Sequence, residues 1–242
     1  MNVPDGLMTT PFHPSYPSDL ETEWIDVYGY AVPLWVSDPG DEYAAFRERV
    51  GILEYSMLFK WDIEGPDAVA VANSVFSRNL STLAPVTERR QEVAVASVQG
   101  PRSRELLQRL TDTDLSNDAF PYYTVQERVS VAGIPATINR LGFTAELGYE
   151  VVVPAERAGD LWDAFFAAGD DLGVTACAAA ALMMARIEAG MVMGEIEYDH
   201  TMTPFECRMG WAIDFDKGDF LGREALLAKH ESAQGRVMTI RI

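Results

Sequence analysis

The sequence has three histidines, His13, His200 and His230, whose spacing does not predict a metal site. None of them has a metal-ligand neighbour at the helical or turn spacing that metal-binding motifs use. His200 lies in an acidic segment, Glu195–Thr201. A lone histidine in such a segment is more typical of a solvated loop than of a catalytic centre. We therefore expect no bound metal.

The motifs of several common enzyme classes are missing from the sequence. No GxGxxG follows a predicted strand, no GxxxxGK phosphate-binding loop occurs, and there is no serine nucleophile elbow. The two cysteines, Cys177 and Cys207, cannot build a disulfide framework or a CxxC metal site. This cysteine usage is typical of a reducing compartment, so we expect the protein in the cytoplasm.

The charge balance disfavours two classes of partner. Nineteen Lys and Arg against 37 Asp and Glu give a formal net charge of -18, which repels nucleic acid and anionic membrane surfaces. The first residues carry proline and acid where a signal peptide carries basic and then apolar residues. The longest apolar run, 176–185, is shorter than the ~20 residues of a membrane-spanning helix. We expect a small-molecule substrate, and no nucleic acid or membrane partner.

Several strings are more detailed than turn or helix propensity requires. They are FRERVGILEYSMLFKWDIEGPDA (46–68), VQGPRSRELLQRLT (98–111), RLGFTAELGYEVVVP (140–154), ARIEAGMVMGE (185–195) and TPFECRMGWAIDFDKGDFLGREAL (203–226). In order and spacing these strings resemble the aminomethyltransferase family, the glycine cleavage T-proteins, which includes folate-dependent demethylases. The resemblance covers most of residues 41–226.

The resemblance implies a fold with a central hole that buries the pterin of tetrahydrofolate. The family holds the pterin with the second glutamate of a TGExGxE string, which is Glu150 in this sequence. A carboxylate suits this task because its two oxygens can accept two parallel N–H donors from the pyrimidine edge. Glu146 matches the first glutamate of the string, while Ala145 replaces the glycine before it.

Four more residues lie in matched strings and have two interpretations each. Arg186 and Glu188 belong to ARIEAG. Arg186 either contacts the folate or forms a structural ion pair, and Glu188 either contacts the folate or lies on the surface of a helix. Tyr55 and Met57 precede the matched first strand and either line the pocket or belong to the core. With Glu150, we predict Arg186, Glu188 and Met57 as folate-binding residues.

The sequence departs from the family in three places. It runs from SRNLSTLAPVTERR (77–90) directly into QEVAVASVQGPRSRE, without the segment that carries the family's catalytic aspartate. Leu182 stands where the T-proteins have a folate-contacting arginine. The last residues, RVMTIRI, resemble only the opening strand of the family's C-terminal barrel, so we expect that barrel to be absent.

These features leave three hypotheses for function. The first is tetrahydrofolate-dependent transfer of a methyl or aminomethyl carbon, including demethylation of a small O- or N-methyl compound. The second is a folate-independent lyase or cyclase reaction on the same scaffold, with Glu146, Glu150 and Glu195 as acid–base candidates and Tyr55 or His200 as proton donor. The third is a non-catalytic subunit completed by a partner. Assembly into a homo-oligomer is an open alternative.

The elements that must position these residues predict an α+β fold. Two strand–GP–helix units, at 60–76 and 93–110, suggest a duplicated module with helices packed on a sheet. We then predict a hairpin of 127–131 with 134–139, a strand at 149–153 and a helix at 154–168. An alanine-rich helix at 176–189 and a last helix from about Asp219 follow.

The proline content divides the chain. Six of the 13 prolines precede residue 40, which predicts an extended arm over 1–40 wrapped on a body over 41–242. An open alternative splits the body into one subdomain of 41–90 with 176–242 and another of 91–175.

Overall fold

The computed structural model describes residues 2–62, 67–76, 87–89 and 91–232. The chain forms two compact units, one of Met1–Phe59 with Arg90–Ala189 and the other of Lys60–Arg89 with Gly190–Ile242. The strands are β1 (Trp24–Val27), β2 (Tyr30–Pro33), β3 (Val50–Glu54), β4 (Trp61–Asp62), β5 (Thr87–Glu88), β6 (Val93–Gln99), β7 (Val125–Val131), β8 (Ile134–Asn139), β9 (Gly148–Pro154) and β10 (Val174–Ala176). The helices are α1 (Pro39–Glu48), α2 (Ala68–Val75), α3 (Ser103–Gln108), α4 (Ala158–Ala168), α5 (Ala179–Glu188) and α6 (Arg223–Ser232). The subdomain boundaries expected from the sequence stay a prediction.

A six-stranded sheet organises the first unit, in the order β10-β3-β6-β9-β8-β7. All its neighbouring strands are antiparallel except β10, which runs parallel to β3. The hairpin of β7 and β8 turns at Ala132 and Gly133, whose φ angles are 52 and 76 degrees. Two positive φ angles match the right-handed twist of the flanking strands. The α+β fold and the hairpin are confirmed.

One face of this sheet carries the main hydrophobic core. Alternate residues of a strand point to the same face, so β6 and β9 each send every second side chain to this side. Helices α3 and α4 cover the face with apolar side chains that are fully buried. The core members from these four elements include Ala96, Val98, Tyr149, Val151, Leu106, Leu107, Leu161 and Phe165.

The opposite face of the sheet has an apolar part and a polar part. Near β3 it is covered by α1 and α5, whose Phe46 and Ala181 pack in one cluster with Leu53. Further along, β6, β8 and β9 place polar side chains on this same face, at register positions that pair across the strands. We call the part formed by Ser97, Gln99, Asn139 and Glu150 the polar face.

The first 40 residues are anchored to the body by aromatic side chains. Phe12 is fully buried in the main core, with its ring centroid 5.8 Å from that of Trp162. Tyr16 is also buried, and its hydroxyl donates to Glu54 Oε1 at 3.1 Å. The segment continues through β1 and β2, which pair as an antiparallel hairpin.

Two helix starts predicted from the sequence are wrong. The alanine-rich helix was expected from residue 176, but Val174–Ala176 forms β10, and α5 begins at Ala179. These residues pair with Val50–Ile52, and hydrogen bonds to a strand distant in sequence outweigh local helix propensity. The last helix was expected from about Asp219 and begins at Arg223, because Gly222 has a φ of 86 degrees, outside the helical region.

The second unit contains β4 paired with β5, and helices α2 and α6. The Leu221 N–H donates to the carbonyl of Ser74 at 2.7 Å, which attaches the start of α6 to α2. The predicted Gly65-Pro66 turn and the terminal string RVMTIRI lie outside the described residues. Within those residues no barrel domain is evident. None of their helices is long and apolar enough to cross a membrane.

Candidate functional site

Glu150 occupies a central position on the polar face. It lies on β9, and its backbone pairs with Ser97 of β6 on one side and Asn139 of β8 on the other. Residues paired in this way place their side chains on the same face, side by side. The Glu150 side chain is half-buried. The sheet thus presents a partly enclosed carboxylate between a hydroxyl and an amide.

Tyr55, one of the predicted site residues, lies near enough to Glu150 to feel its charge. It follows β3, its side chain is buried, and its N–H donates to the carbonyl of Val95 at 2.8 Å. Burial raises the pKa of the Tyr55 phenol, the negative charge of Glu150 raises it further, and the Ser97 hydroxyl opposes the rise. Tyr55 is therefore protonated at neutral pH and is a weaker acid than an ordinary tyrosine.

Glu146 and Glu188 both contact the guanidinium of Arg47, a residue that was not predicted from the sequence. Arg47 of α1 lies 3.0 Å from Glu146 Oε1 through one terminal nitrogen and 2.8 Å from Glu188 Oε2 through the other. The Tyr43 hydroxyl donates to the same Glu188 oxygen at 2.6 Å. The only sequence signal for this cluster is the spacing of Tyr43 and Arg47, four residues apart on one helix face.

Arg47 also joins two segments of backbone. It donates to the carbonyl of Thr144 at 2.8 Å and to that of Ala185 at 3.1 Å. The loop 141–147, which carries Glu146, is thereby tied to α5. Arg47 thus holds Glu146 and Glu188 in ion pairs, and the predicted roles of these two glutamates toward a ligand stay predictions.

Arg186 and Met57 are both buried. Arg186 of α5 is only 1% exposed and is the largest fully buried side chain among the described residues. Met57 is 5% exposed and packs with Tyr30 and Val32 of β2. Their predicted contacts with a folate are not tested by these positions.

His200 and Glu195 belong to the second compact unit. Both are exposed, and the Glu195 N–H donates to the carbonyl of Tyr198 at 2.7 Å. The structure therefore places them in a different unit from Glu150, Glu146 and Tyr55. Across the described ranges, no group of three or more His, Cys, Asp or Glu side chains is arranged to hold a metal ion.

Ala145, which stands where the related string has glycine, adopts a φ of 60 degrees. This left-handed conformation costs a residue with a Cβ roughly 1–2 kcal/mol, and glycine adopts it freely. We expect Ala145→Gly to raise the free energy of unfolding by roughly 0.5–1 kcal/mol after the larger unfolded-state entropy of glycine is subtracted. Urea denaturation measures the change. Ala180→Gly, within α5, is the matched control and should lower the free energy of unfolding. A lower free energy of unfolding for both variants would contradict backbone strain at Ala145.

Comparison with known proteins identifies the family of the chain. The family model described as the GCVT N-terminal domain matches residues 83–217, more than half of the sequence. The chain belongs to this aminomethyltransferase (GCVT) family. The resemblance inferred from the sequence strings is confirmed.

Relatives of this GCVT protein match most of its length. The aminomethyltransferase of Streptomyces coelicolor is 30% identical, with 87% of this chain and 71% of the relative covered. That of Caldanaerobacter subterraneus subsp. tengcongensis is 26% identical over 96% of this chain and 76% of the relative. The trimethylamine-oxide aldolase of Ruegeria pomeroyi is 27% identical and covers 94% of this chain but 37% of its own length.

A solved structure shows the same fold. The glycine cleavage system aminomethyltransferase T from Bartonella henselae superposes with a TM-score of 0.78 at 19% identity, covering 95% of this chain and 76% of that one. The match to the Caldanaerobacter protein extends over 287 residues, whereas this GCVT protein has 242 in total. The alignment therefore contains gaps in this chain, and the position of the missing segment stays a prediction.

Proposed function

We propose that this protein transfers a one-carbon unit, methyl or aminomethyl, between a small substrate and tetrahydrofolate. The observation that carries the proposal is the half-buried Glu150 carboxylate on the polar face, between Ser97 and Asn139. Membership of the aminomethyltransferase family supports it. The net charge of -18 disfavours binding of an anionic group. We therefore expect this region to bind the neutral pterin edge of the folate.

The donors and acceptors of the site fit a pterin. A pyrimidine edge offers two parallel N–H groups, and Glu150 offers two oxygens that can accept both. The protonated Tyr55 phenol adds a donor beside that carboxylate. When bound, tetrahydrofolate would supply the ring nitrogen that takes up the carbon. Glu150 would hold the pterin and Tyr55 would hold a proton, while Arg186, Glu188 and Met57 stay proposed contacts.

The remaining proton-transfer residues follow from the same proposal. A methyl carbon that leaves a substrate nitrogen and bonds to a folate nitrogen requires the first nitrogen to gain a proton and the second to lose one. Glu146, oriented by Arg47 at 3.0 Å, is our proposed carrier of that proton. His200, on the second unit, stays a proposal of the same kind.

A labelling experiment tests this function. N-methyl compounds with carbon-13 in the methyl group are incubated with the protein and tetrahydrofolate, and carbon-13 NMR follows the label. We expect the label to appear on tetrahydrofolate when the protein is present and to stay on the N-methyl compound when the protein is left out. Label that stays on every substrate in the panel while wild-type protein binds no folate contradicts it.

A second candidate is a folate-independent cleavage of an N-methylated compound. The observation that favours it is the match of the Ruegeria pomeroyi trimethylamine-oxide aldolase to 94% of this chain. Trimethylamine N-oxide, supplied without folate, is the discriminating substrate. Its consumption in that arm supports the second candidate over the first.

A further inference from the structure

Gln99, the last residue of β6, has a buried side-chain amide whose nitrogen and oxygen both form hydrogen bonds. Its side chain is fully buried. The amide nitrogen donates to Ser97 Oγ at 3.0 Å and to the carbonyl of Leu141 at 3.3 Å, and the amide oxygen accepts from the Thr144 hydroxyl at 3.0 Å. One side chain thus links the polar face to the loop 141–147.

Two glycines make room for this amide. A Cβ built on Gly142 would lie 2.0 Å from the Gln99 Oε1, and one built on Gly148 would lie 1.9 Å from it. Any larger residue at either position would push the amide away from the loop or the sheet. The glycines of LGFTAELG therefore fit the space that Gln99 occupies.

Thr144 carries the connection on to Glu146. It is fully buried, and its hydroxyl accepts from the Glu146 N–H at 3.3 Å while donating to Gln99. Its carbonyl accepts from Arg47 at 2.8 Å. The conformation of the backbone at Glu146 is thereby coupled to Gln99 and, through β6, to the strand pair that positions Glu150.

We infer that Gln99 and Thr144 are positioning residues of the proposed folate site. They hold the loop 141–147 on the polar face and fix the separation between Glu146 on the loop and Glu150 on β9. This inference rests on the proposed function for its ligand. Its structural half, the attachment of the loop, is independent of any ligand.

The pair of variants Thr144→Val and Thr144→Ser separates positioning from packing. Valine preserves the shape of threonine but lacks the hydroxyl, whereas serine retains the hydroxyl and loses a methyl group. For Thr144→Val we expect tetrahydrofolate affinity to fall about tenfold, since one buried and one part-buried hydrogen bond are lost. Thr144→Ser should stay within about threefold of wild type, because both hydrogen bonds remain.

Hydrogen exchange provides the readout that does not depend on folate. We expect the amides of residues 145–147 to exchange faster in Thr144→Val and to keep wild-type protection in Thr144→Ser. Equal exchange in Thr144→Val and wild type overturns the inference, as does faster exchange with unchanged affinity. A wild-type protein that binds no folate contradicts the proposed function, while the exchange comparison still decides whether the loop is held. If Thr144→Val does not fold, Gln99→Asn, which shortens the reach of the amide, replaces it and should show the same faster exchange.

Discussion

Changing Glu150 to glutamine is expected to weaken tetrahydrofolate binding by about 100-fold, which corresponds to about 2.7 kcal/mol. The carboxylate offers two charged acceptors to two parallel N–H donors, and each charge-assisted hydrogen bond contributes about 1.5–3 kcal/mol. Glutamine keeps one neutral acceptor and turns an NH₂ group toward the second donor. Glu150 is half-buried between Ser97 and Asn139, so water compensates for the lost acceptor only in part.

A matched variant makes this result specific. Glu127 lies on β7 of the same sheet and is exposed, so Glu127→Gln makes the same chemical change outside the polar face. Titration calorimetry should find wild-type affinity for Glu127→Gln, and thermal denaturation should show both variants folded. Similar affinities for the two variants contradict the role assigned to Glu150.

Removing the Glu42 carboxylate is expected to produce the largest loss of stability. Glu42 of α1 is fully buried. One of its oxygens accepts from the N–H groups of Val36 and Ser37, both at 2.6 Å, and the other accepts from the Ala178 N–H at 2.8 Å. The carboxylate therefore connects the N-terminal segment, α1 and the residue that precedes α5.

The size of the effect follows from the donors left behind. Each buried N–H that loses its acceptor costs about 1–3 kcal/mol, and the cavity adds to this cost, so we expect Glu42→Ala to lower the free energy of unfolding by about 3–5 kcal/mol. Glu48→Ala, at an exposed position of the same helix, should change it by less than about 0.5 kcal/mol. Urea denaturation compares the two. Equal stabilities would show that the Glu42 hydrogen bonds are replaced by others.

Much of the fold was predictable because its signals are local. The strand of the predicted strand–GP–helix unit at 93–110 is β6, since a run of small and β-branched apolar residues ends at Gly100-Pro101. The strand β10 was missed because an alanine-rich stretch follows it directly, and its pairing partner Val50–Ile52 lies more than 120 residues earlier. No local pattern reports that pairing.

The candidate site divides in the same way. Glu150 and Glu146 were predicted as site residues from a short string that resembles the TGExGxE string of the family. Arg47 and Gln99 were not found, because Arg47 reaches Glu188 across 141 residues of sequence and Gln99 reaches Leu141 across 42. The glycines Gly142 and Gly148 were visible, but the amide that they accommodate becomes apparent only when the loop and the sheet are assembled.

Calorimetric titration of the wild-type protein with tetrahydrofolate tests the central claim most directly. We predict saturable binding at one site per chain, weakened about 100-fold by Glu150→Gln and unaffected by Glu127→Gln. The absence of binding at millimolar tetrahydrofolate, with the protein folded by thermal denaturation, would contradict it.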